Sequence, residues 1–314
     1  MTVSLDWLSQ LLDLVPVRGQ LELRCFYGAP WRVAQEQSPR GEMPYHVILA
    51  GSALLEGAPG GPQRLGPGDI LLLPHGGAHL LHDGGGEDPG PARESPRLNL
   101  ILSENGGAGQ RLDMLCGRFI VSASHERWMQ VYLPSHLVVR TASAGGTAAQ
   151  LAALVSLMRS ETAADTLGGH AMLNALSTAM FALTLRLASE MRQPPQGLLA
   201  LAGHRRLLPA LAAIFRDPAY SWTLPELARL CHMSRASLAR HFQEGLGRSA
   251  NELLTDIRMT LAARKLGDPS LSTGAVAEDV GYQSEAAFQR AFKAHMGVTP
   301  AVWRREKHSR HGET

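Results

Sequence analysis

Two helix-turn-helix patterns in series occupy the last third of this chain, and no other feature restricts its fold so strongly. The sharper pattern spans residues 271–303. A short helix is predicted over 273–280, a turn at Gly281, and a second helix over 284–295 that stops at Gly297. Two short helices joined by a small-residue turn are typical of a helix-turn-helix unit.

The second helix of this pattern has one apolar and one polar face. Phe288 and Phe292 lie one helical turn apart and mark the face that packs into a core. Gln289, Arg290 and Lys293 are then directed outward, on the face that a recognition helix presents to a DNA groove. A lone outward arginine is also explained as an ordinary solvated charge, so this face alone leaves both interpretations open.

An earlier stretch repeats the pattern. Thr223 and Glu226 form the spacing of a capping box at the start of one short helix. Ser234 is placed to cap the next helix, which Gly247 ends, and a long helix predicted over 249–266 leads to the second unit. Two units in tandem are a much more specific signal than one, because many short helix pairs fit a single pattern.

The outward residues of both recognition helices are the candidate DNA contacts. Arg240 suits bidentate hydrogen bonding to guanine, and residues at a helix N-terminus suit phosphate contacts. The candidate residues are Ser234, Arg235, Ala236, Ser237, Arg240, His241, Ser284, Glu285, Ala286, Gln289, Arg290 and Lys293.

Charge is distributed unevenly along the chain. Residues 1–205 contain 15 Lys and Arg against 17 Asp and Glu, whereas residues 206–314 contain 15 against 11. The C-terminal part is therefore the part expected to bind a polyanion such as double-stranded DNA.

Neither export nor membrane insertion is predicted. The start of the chain has no basic, apolar and small-residue segments in the order of a signal peptide, and no window approaches 18 uninterrupted apolar residues. The three cysteines do not form the disulfide framework of a secreted protein. A cytoplasmic protein without a membrane partner is expected.

The N-terminal part has a different texture. Short β-like runs separated by Gly- and Pro-rich turns fill residues 21–140 and predict a sandwich or barrel. An amphipathic helix precedes them, and the Gly-, Pro- and acid-rich segment 84–96 is predicted to be an exposed loop.

A helical pattern follows from residue 147. The stretch 169–192 is apolar on more than one face, which fits either a core helix or a helix through which two copies form a homodimer. Pro194 and Pro195 end it and begin a predicted linker. The predicted parts are a sensor barrel (1–145), a helical dimerisation segment (146–193), a linker (194–205) and a DNA-binding domain (206–308).

The C-terminal stretch 207–305 resembles the DNA-binding domain of AraC/XylS-type transcriptional regulators. The match is carried by AVAEDVGYQSEAAFQRAFKAHMGVTPAVWR, with support from WTLPELARLCHMSRASLARHFQEGLG. The resemblance implies two recognition helices in successive major-groove segments, and an activator with RNA polymerase as its partner. Some members carry larger base-reading side chains where this chain has Ala236 and Ala286, so contact with a thymine methyl is expected there.

The N-terminal part looks like the cupin domain of a subset of these regulators, through Tyr45-His46-Val47 and the segment GPGDILLLPHGGAH at 66–79. Metal-binding cupins pair two His and a Glu in their first motif with one His in the second. Here only His46 represents the first motif, and His79 occupies the second. The alternative function, a cupin-type metalloenzyme with an appended helical domain, therefore has little support, and no enzyme is predicted.

His46 and His79 remain candidate ligands of Zn or another transition metal, with Cys25 or Cys116 completing the set. The alternative is a pair of structural histidines satisfied by backbone groups. No cofactor follows with certainty from these residues.

Cys25 and Cys116 also resemble the oxidation-sensitive cysteines of the reactive-chlorine-sensing subgroup of these regulators. This resemblance implies that oxidation of the two thiols shifts the barrel between two states. Small buried hydrophobes are the alternative interpretation. The sequence thus predicts a multi-domain α+β protein, with a cupin-like β-barrel that senses a small molecule, metal or oxidant and an all-α tandem helix-turn-helix domain.

Overall fold

The computed structural model describes residues 6–58, 60–86, 88–122, 124–142 and 145–311, with side chains described as far as residue 307. The chain forms two compact units. The first comprises Val15–Leu199, and the second combines residues 6–14 with the chain from Ala200 onward.

The first unit contains all eleven strands of the described residues and three helices. The strands are β1 (Arg18–Gly28), β2 (Arg32–Gln35), β3 (Glu42–Ala50), β4 (Ala53–Glu56), β5 (Gln63–Leu65), β6 (Asp69–Leu72), β7 (His79–His82), β8 (Arg93–Pro96), β9 (Ile101–Glu104), β10 (Arg111–Ile120) and β11 (Leu137–Arg140). The helices are α2 (Glu126–Tyr132), α3 (Gly146–Glu161) and α4 (Gly169–Ser189).

The strands form two sheets that share one core. The larger sheet has the order β11-β6-β3-β10-β1-β9-β8, and the smaller has the order β2-β7-β4-β5. Ile48 and Met114 of the larger sheet pack in one buried cluster with Leu55 and Leu81 of the smaller. Alternate residues of β3 and β10 therefore point into this core, as the period of a strand requires.

The strand-rich N-terminal domain and the all-α C-terminal domain confirm the predicted fold class, but the closed barrel was wrong. In the described part of the chain, no strand of the larger sheet pairs with a strand of the smaller sheet, so the two sheets do not close into one barrel. The strands of the smaller sheet have only three or four residues. Glycines with positive φ, such as Gly51 and Gly57, turn the chain before these strands extend far enough to close a barrel.

Helix α4 covers the outer face of the larger sheet. The Tyr45 hydroxyl lies 2.8 Å from Ser177 Oγ, and the amide of Gly19 donates to Thr178 Oγ1 at 2.8 Å. Phe119 and Phe181 pack with ring centroids 4.8 Å apart. By length and composition alone α4 could cross a membrane, but these contacts make it a core helix of the first unit. The homodimer stays a prediction.

A buried ion pair fixes α3 against the same sheet. Arg24 Nη2 lies 2.9 Å from Asp113 Oδ2, and Arg24 Nη1 donates to Thr162 Oγ1 at 2.9 Å. Both charged side chains are buried, so each needs the other to offset its desolvation.

The second unit is helical in its described residues. Its helices are α1 (Trp7–Leu14), α5 (Leu198–Gly203, whose first two residues lie in the first unit), α6 (Leu208–Arg216), α7 (Leu224–Leu230), α8 (Arg235–Leu246), α9 (Ala250–Lys265), α10 (Thr273–Asp279), α11 (Glu285–Met296) and α12 (Pro300–His311).

The N-terminal helix belongs to this second unit. Leu8, Leu11 and Leu14 are buried, and α1 packs on α6 and α9. Arg264 Nη1 on α9 donates to the carbonyl of Asp13 at 3.0 Å. The sequence-based boundaries had assigned this segment to the sensor domain, because only contacts distant in sequence reveal where it packs.

Two further segments differ from the sequence-based expectations. Helix α5 forms inside the expected linker 194–205, because Leu198, Leu199 and Leu201 are buried. Strand β8 forms at the end of the expected loop 84–96 and pairs with β9. It is a polar edge strand ending in Pro96, a composition that is hard to distinguish from a loop.

Candidate functional sites

The first helix-turn-helix unit consists of α7 and α8. Thr223 and Glu226 form the predicted capping box at the start of α7. Ser234 Oγ accepts the amide proton of Ser237 at 3.1 Å and so caps α8, as predicted. Gly247, with φ 69°, ends that helix. Local capping chemistry thus defines the length and start of the first candidate recognition helix.

The second unit consists of α10 and α11. Ser284 Oγ accepts the amide proton of Ala287 at 3.2 Å, as predicted, and Gly297 ends α11 with φ 79°. The turn contains Gly281 with φ 85°, and a Cβ atom at this position would lie 2.1 Å from the carbonyl oxygen of Ala219. Glycine is required here both by conformation and by space.

Each candidate recognition helix buries two apolar residues one turn apart. Leu238 and Phe242 do so on α8, and Phe288 and Phe292 do so on α11. The candidate DNA contacts lie on the other face of each helix and are exposed, except Ser237 and His241, which are half-buried. The exposed ones are Ser234, Arg235, Ala236, Arg240, Ser284, Glu285, Ala286, Gln289, Arg290 and Lys293.

His241 is covered by a residue that sequence reasoning did not single out. Its ring packs against that of His204 with centroids 4.7 Å apart. Burial lowers the pKa of His241, and the neighbouring His204 and Arg240 lower it further. A neutral imidazole on α8 is therefore favoured near pH 7.

Intrahelical pairs hold two of the exposed polar side chains. Arg240 Nε lies 3.7 Å from Glu244 Oε1, one turn further along α8. Gln289 Nε2 donates to Glu285 Oε1 at 2.9 Å on α11. Both pairs are on the surface and therefore weak. They orient the Arg240 and Gln289 side chains, and a DNA partner can break them at a small cost in free energy.

In the N-terminal compact unit, Val15–Leu199, the two cysteines singled out by the sequence lie side by side. Cys25 on β1 and Cys116 on β10 are both buried, and their sulfur atoms are 3.8 Å apart. The strands are antiparallel neighbours in which Leu23 is opposite Cys116 and Cys25 is opposite Met114. The cysteines are thus diagonal neighbours on the core-facing side of the sheet.

His46 and His79 extend this pair into a chain of hydrogen bonds. His79 Nδ1 lies 2.9 Å from the carbonyl of Gly77, which can only accept, so His79 Nε2 carries no proton. His46 Nε2, at 2.8 Å, then donates to it. His46 Nδ1 is left as an acceptor 3.2 Å from Cys116, whose single thiol proton can be donated either to this nitrogen or to the sulfur of Cys25.

The ionisation of these groups follows from burial and from the hydrogen bonds. Burial lowers the pKa of His46 to about 3, helped by the neighbouring His79, and burial also lowers the pKa of His79. A hydrogen bond from Cys116 lowers the pKa of Cys25. The same bond and burial raise the pKa of Cys116 well above its ordinary value. Cys25 is therefore the more acidic thiol of the pair.

This arrangement does not match a metal site. Within the described residues there is no group of three or more His, Cys, Asp or Glu side chains that could hold a metal ion. His46 directs one ring nitrogen at His79 and the other at Cys116, so the donors form a line instead of converging on one point. The suggestion that His46 and His79 bind a metal gains no support from this geometry.

A cavity reaches one member of the cysteine pair, Cys116. Its volume is about 280 Å³, and its lining includes His46 and Cys116. It is also lined by Arg118, which lies 2.8 Å from Glu22 and 2.5 Å from Glu42 and is partly exposed. Sequence reasoning missed these three charged residues, because alternating charges on strands normally indicate only a solvated face.

A strand-rich cupin domain joined to a tandem helix-turn-helix domain defines a class of DNA-binding transcriptional regulators. Residues 6–190 match the family described as Cupin, and residues 227–306 match the family described as Helix-turn-helix domain. The cupin match covers more than half of the chain, and the chain belongs to the cupin-containing regulators of the AraC type.

Three regulators illustrate this relationship. An uncharacterized HTH-type transcriptional regulator of Haemophilus influenzae is 29% identical over 96% of this chain and 99% of its own length. The RCS-specific HTH-type transcriptional activator RclR of Escherichia coli is 27% identical, with coverages of 96% and 97%. The HTH-type transcriptional regulator MtrA of Neisseria gonorrhoeae is 29% identical, with coverages of 96% and 99%. These full-length matches confirm the prediction of a DNA-binding regulator in place of an enzyme.

Proposed function

We propose that this cytoplasmic regulator senses a two-electron oxidant through Cys25 and Cys116. The observation that carries the proposal is the 3.8 Å distance between their sulfur atoms, in a buried pair of which Cys116 lines a cavity. The E. coli relative is named as an RCS-specific activator, which we take to mean specific for reactive chlorine species. Hypochlorous acid is therefore the oxidant to test first.

The chemistry needs only the two thiols and the oxidant. The Cys25 thiolate attacks the chlorine of hypochlorous acid, which forms a sulfenyl chloride and releases hydroxide. The Cys116 sulfur then attacks Cys25 Sγ, the S–S bond forms, and chloride leaves. The proton of Cys116 is lost in this step and neutralises the hydroxide released from hypochlorous acid. Overall two thiols are oxidised, one chlorine is reduced to chloride, and water is formed.

Closing the pair requires the sulfur atoms to approach from 3.8 Å to the disulfide length of about 2.05 Å. The movement acts on β1 and β10, which pair along almost their whole length and contain a register shift between Leu21 and Leu23. Because α4 is hydrogen-bonded to the backbone of β1, a change in this strand is passed to the helical layer. This gives the oxidation a structural consequence within the first unit.

We also propose that α8 and α11 read DNA through the candidate residues given above, as an activator that works with RNA polymerase and as a homodimer. Support comes from the exposure of these side chains and from the caps that define both helices. Recognition helices read the major groove through residues near their N-termini, where Arg235, Ser284 and Glu285 lie.

The sensing proposal is tested with Cys25→Ser and Cys116→Ser in the full chain. Hypochlorous acid should form an intramolecular disulfide in the parent protein, detected by mass spectrometry, and activate a reporter gene. Both responses should disappear in either variant and persist in the matched control Cys231→Ser. Cys231 is also buried, but it lies at the end of α7. A normal reporter response in the Cys25→Ser/Cys116→Ser double variant would exclude the proposal.

DNA reading is tested by footprinting on the DNA upstream of this gene. The expected result is sequence-specific protection of two major-groove segments about one helical turn, roughly 34–36 Å, apart. Footprinting of the cysteine variants also shows whether they remain folded. Uniform protection of any sequence would mean that the helices contact only phosphates.

A further inference from the structure

The long helix α9 lies between the two helix-turn-helix units and carries a buried carboxylate. Asp256 is only 4% exposed. Its Oδ2 atom lies 3.5 Å from Arg248 Nη1, and its Oδ1 atom lies 3.2 Å from His295 Nδ1. A buried carboxylate is costly unless basic groups or donors surround it, and here two basic side chains from different elements do so.

The two partners come from the ends of the two candidate recognition helices. Arg248 directly follows Gly247, the residue that ends α8. His295 is in the last turn of α11. Asp256 therefore connects the C-terminal end of one candidate recognition helix with that of the other through a single side chain on α9.

Another residue of α9 links the opposite parts of the two units. Arg258 donates to the carbonyls of Pro218, Ala219 and Tyr220 at 2.6, 3.2 and 3.0 Å, in the loop before α7. Its guanidinium also lies 5.8 Å from the ring centroid of Tyr282, in the turn before α11. The apolar face of α11 also packs on α9, where Phe288 and Phe292 share a buried cluster with Met259. Asp256 adds a polar link whose partners lie at the C-terminal ends of both candidate recognition helices.

We propose that Asp256 is a positioning residue that fixes the distance and rotation between α8 and α11, and so sets the spacing between the two DNA segments that the protein accepts. This inference rests on the proposal that both helices read DNA. Neither segment would be read by Asp256 itself, since it is buried.

The geometry of DNA explains why such a residue affects specificity. Each additional base pair moves a site by about 3.4 Å along the axis. It also rotates the site by roughly 35°, since a turn contains about 10–10.5 base pairs. Two helices held rigidly follow neither change. When the side chain that links both helices is removed, their relative orientation is less strictly fixed. The protein then binds DNA with a longer or shorter spacer, and with the matching rotation, more readily.

The test begins with the full-length protein and DNA from a random library. Selection defines the two segments and their preferred spacing, and binding is then measured with one base pair added to or removed from the spacer. The parent protein should discriminate strongly against the altered spacers. In Asp256→Ala the ratio of affinities for preferred and altered spacing should fall by roughly tenfold, the scale of coupling between residues in one network.

The matched control is Asp279→Asn, which removes an ion pair of 2.5 Å with Lys265 between α9 and α10. This pair joins α9 only to the second helix-turn-helix unit, so the spacing ratio should stay at the parent value. Asp256→Asn, of nearly the same shape, should lie between the parent and Asp256→Ala. If Asp256→Ala does not fold, His295→Gln and Arg248→Gln replace it, and each should lower the ratio.

The two proposals fail in different ways. If the parent protein selects only one segment, or if Arg240→Ala and Arg290→Ala leave its DNA affinity unchanged, reading by both helices is excluded. If it selects two segments but the folded variants of Asp256, His295 and Arg248 keep the parent spacing ratio, the role of Asp256 alone is excluded.

Discussion

The two helix-turn-helix units place their helix caps and buried residues at the same spacing, but their turns differ by one residue. Ser234 and Ser284, the caps of the second helices, are fifty positions apart, whereas Thr223 and Ser272, the caps of the first helices, are forty-nine apart. Gln283 is the additional residue of the second turn. The caps and buried faces are kept in both units, so the turn is where the geometry of each unit is adjusted.

The turns also solve the same backbone problem differently. Each needs one residue in the left-handed region, which is His232 with φ 51° in the first unit and Gly281 with φ 85° in the second. In the first turn His232 is exposed, and its carbonyl accepts a hydrogen bond from Arg206 Nη2 at 2.8 Å. The second is packed on the backbone of Ala219, so only glycine fits there.

The largest expected effect on stability comes from substituting the left-handed residue of each turn. Gly281→Ala should lower the free energy of unfolding by more than about 2 kcal/mol, because a strained φ and a backbone clash combine. His232→Gly should raise it by up to about 1 kcal/mol, because the left-handed conformation is no longer strained. Denaturant unfolding of the full chain measures both. Equal effects of the two substitutions would show that the turns are equivalent after all.

The next effect concerns the two arginines that occupy matching positions. If Arg290 reads a base, Arg290→Ala should weaken binding to the selected DNA by about 1–3 kcal/mol and relax one base position. For Arg240→Ala the loss should be smaller by up to about 0.5 kcal/mol, because Arg240 must first leave Glu244. Binding to base-substituted DNA checks this. Uniform weakening on every sequence would indicate phosphate contact only.

The smallest effect isolates the pair that distinguishes α8. Glu244→Gln should increase DNA affinity by a few tenths of a kcal/mol, about 0.3–0.5, because Arg240 no longer exchanges one partner for another. A titration at low salt is the most sensitive measurement, since screening weakens such surface pairs. No gain, or a loss, would mean that Glu244 orients Arg240 for binding.

Most of this helical domain was predictable because its signals are local. Ser234, Ser284 and Gly297 act within one turn of the helices that they cap or end, and Phe288 and Phe292 reveal the buried face by their spacing. The N-terminal compact unit, Val15–Leu199, depends instead on partners far apart in sequence. The contact of Cys25 with Cys116 crosses 91 residues. The two open sheets found in place of a barrel depend on which short strands pair, which alternation alone does not determine.

The functional site divides in the same way. The sequence indicated His46, His79, Cys25 and Cys116 as separate candidates for a metal or a redox site. It did not indicate their order in one hydrogen-bonded line, because that order follows from the carbonyl of Gly77. Asp256 gave no signal at all, since one partner, Arg248, lies in the connection after α8 and the other, His295, lies in α11.

The position of α1 has a consequence for the synthesis of this protein. The helix is made before the whole of Val15–Leu199, yet its partners α6 and α9 follow that segment. At about 5–20 residues per second, its apolar side chains wait on the order of 10–40 s for their place in the core. A chain released before α9 lacks part of that core, so a complete DNA-binding unit arises only in molecules that already carry their sensor.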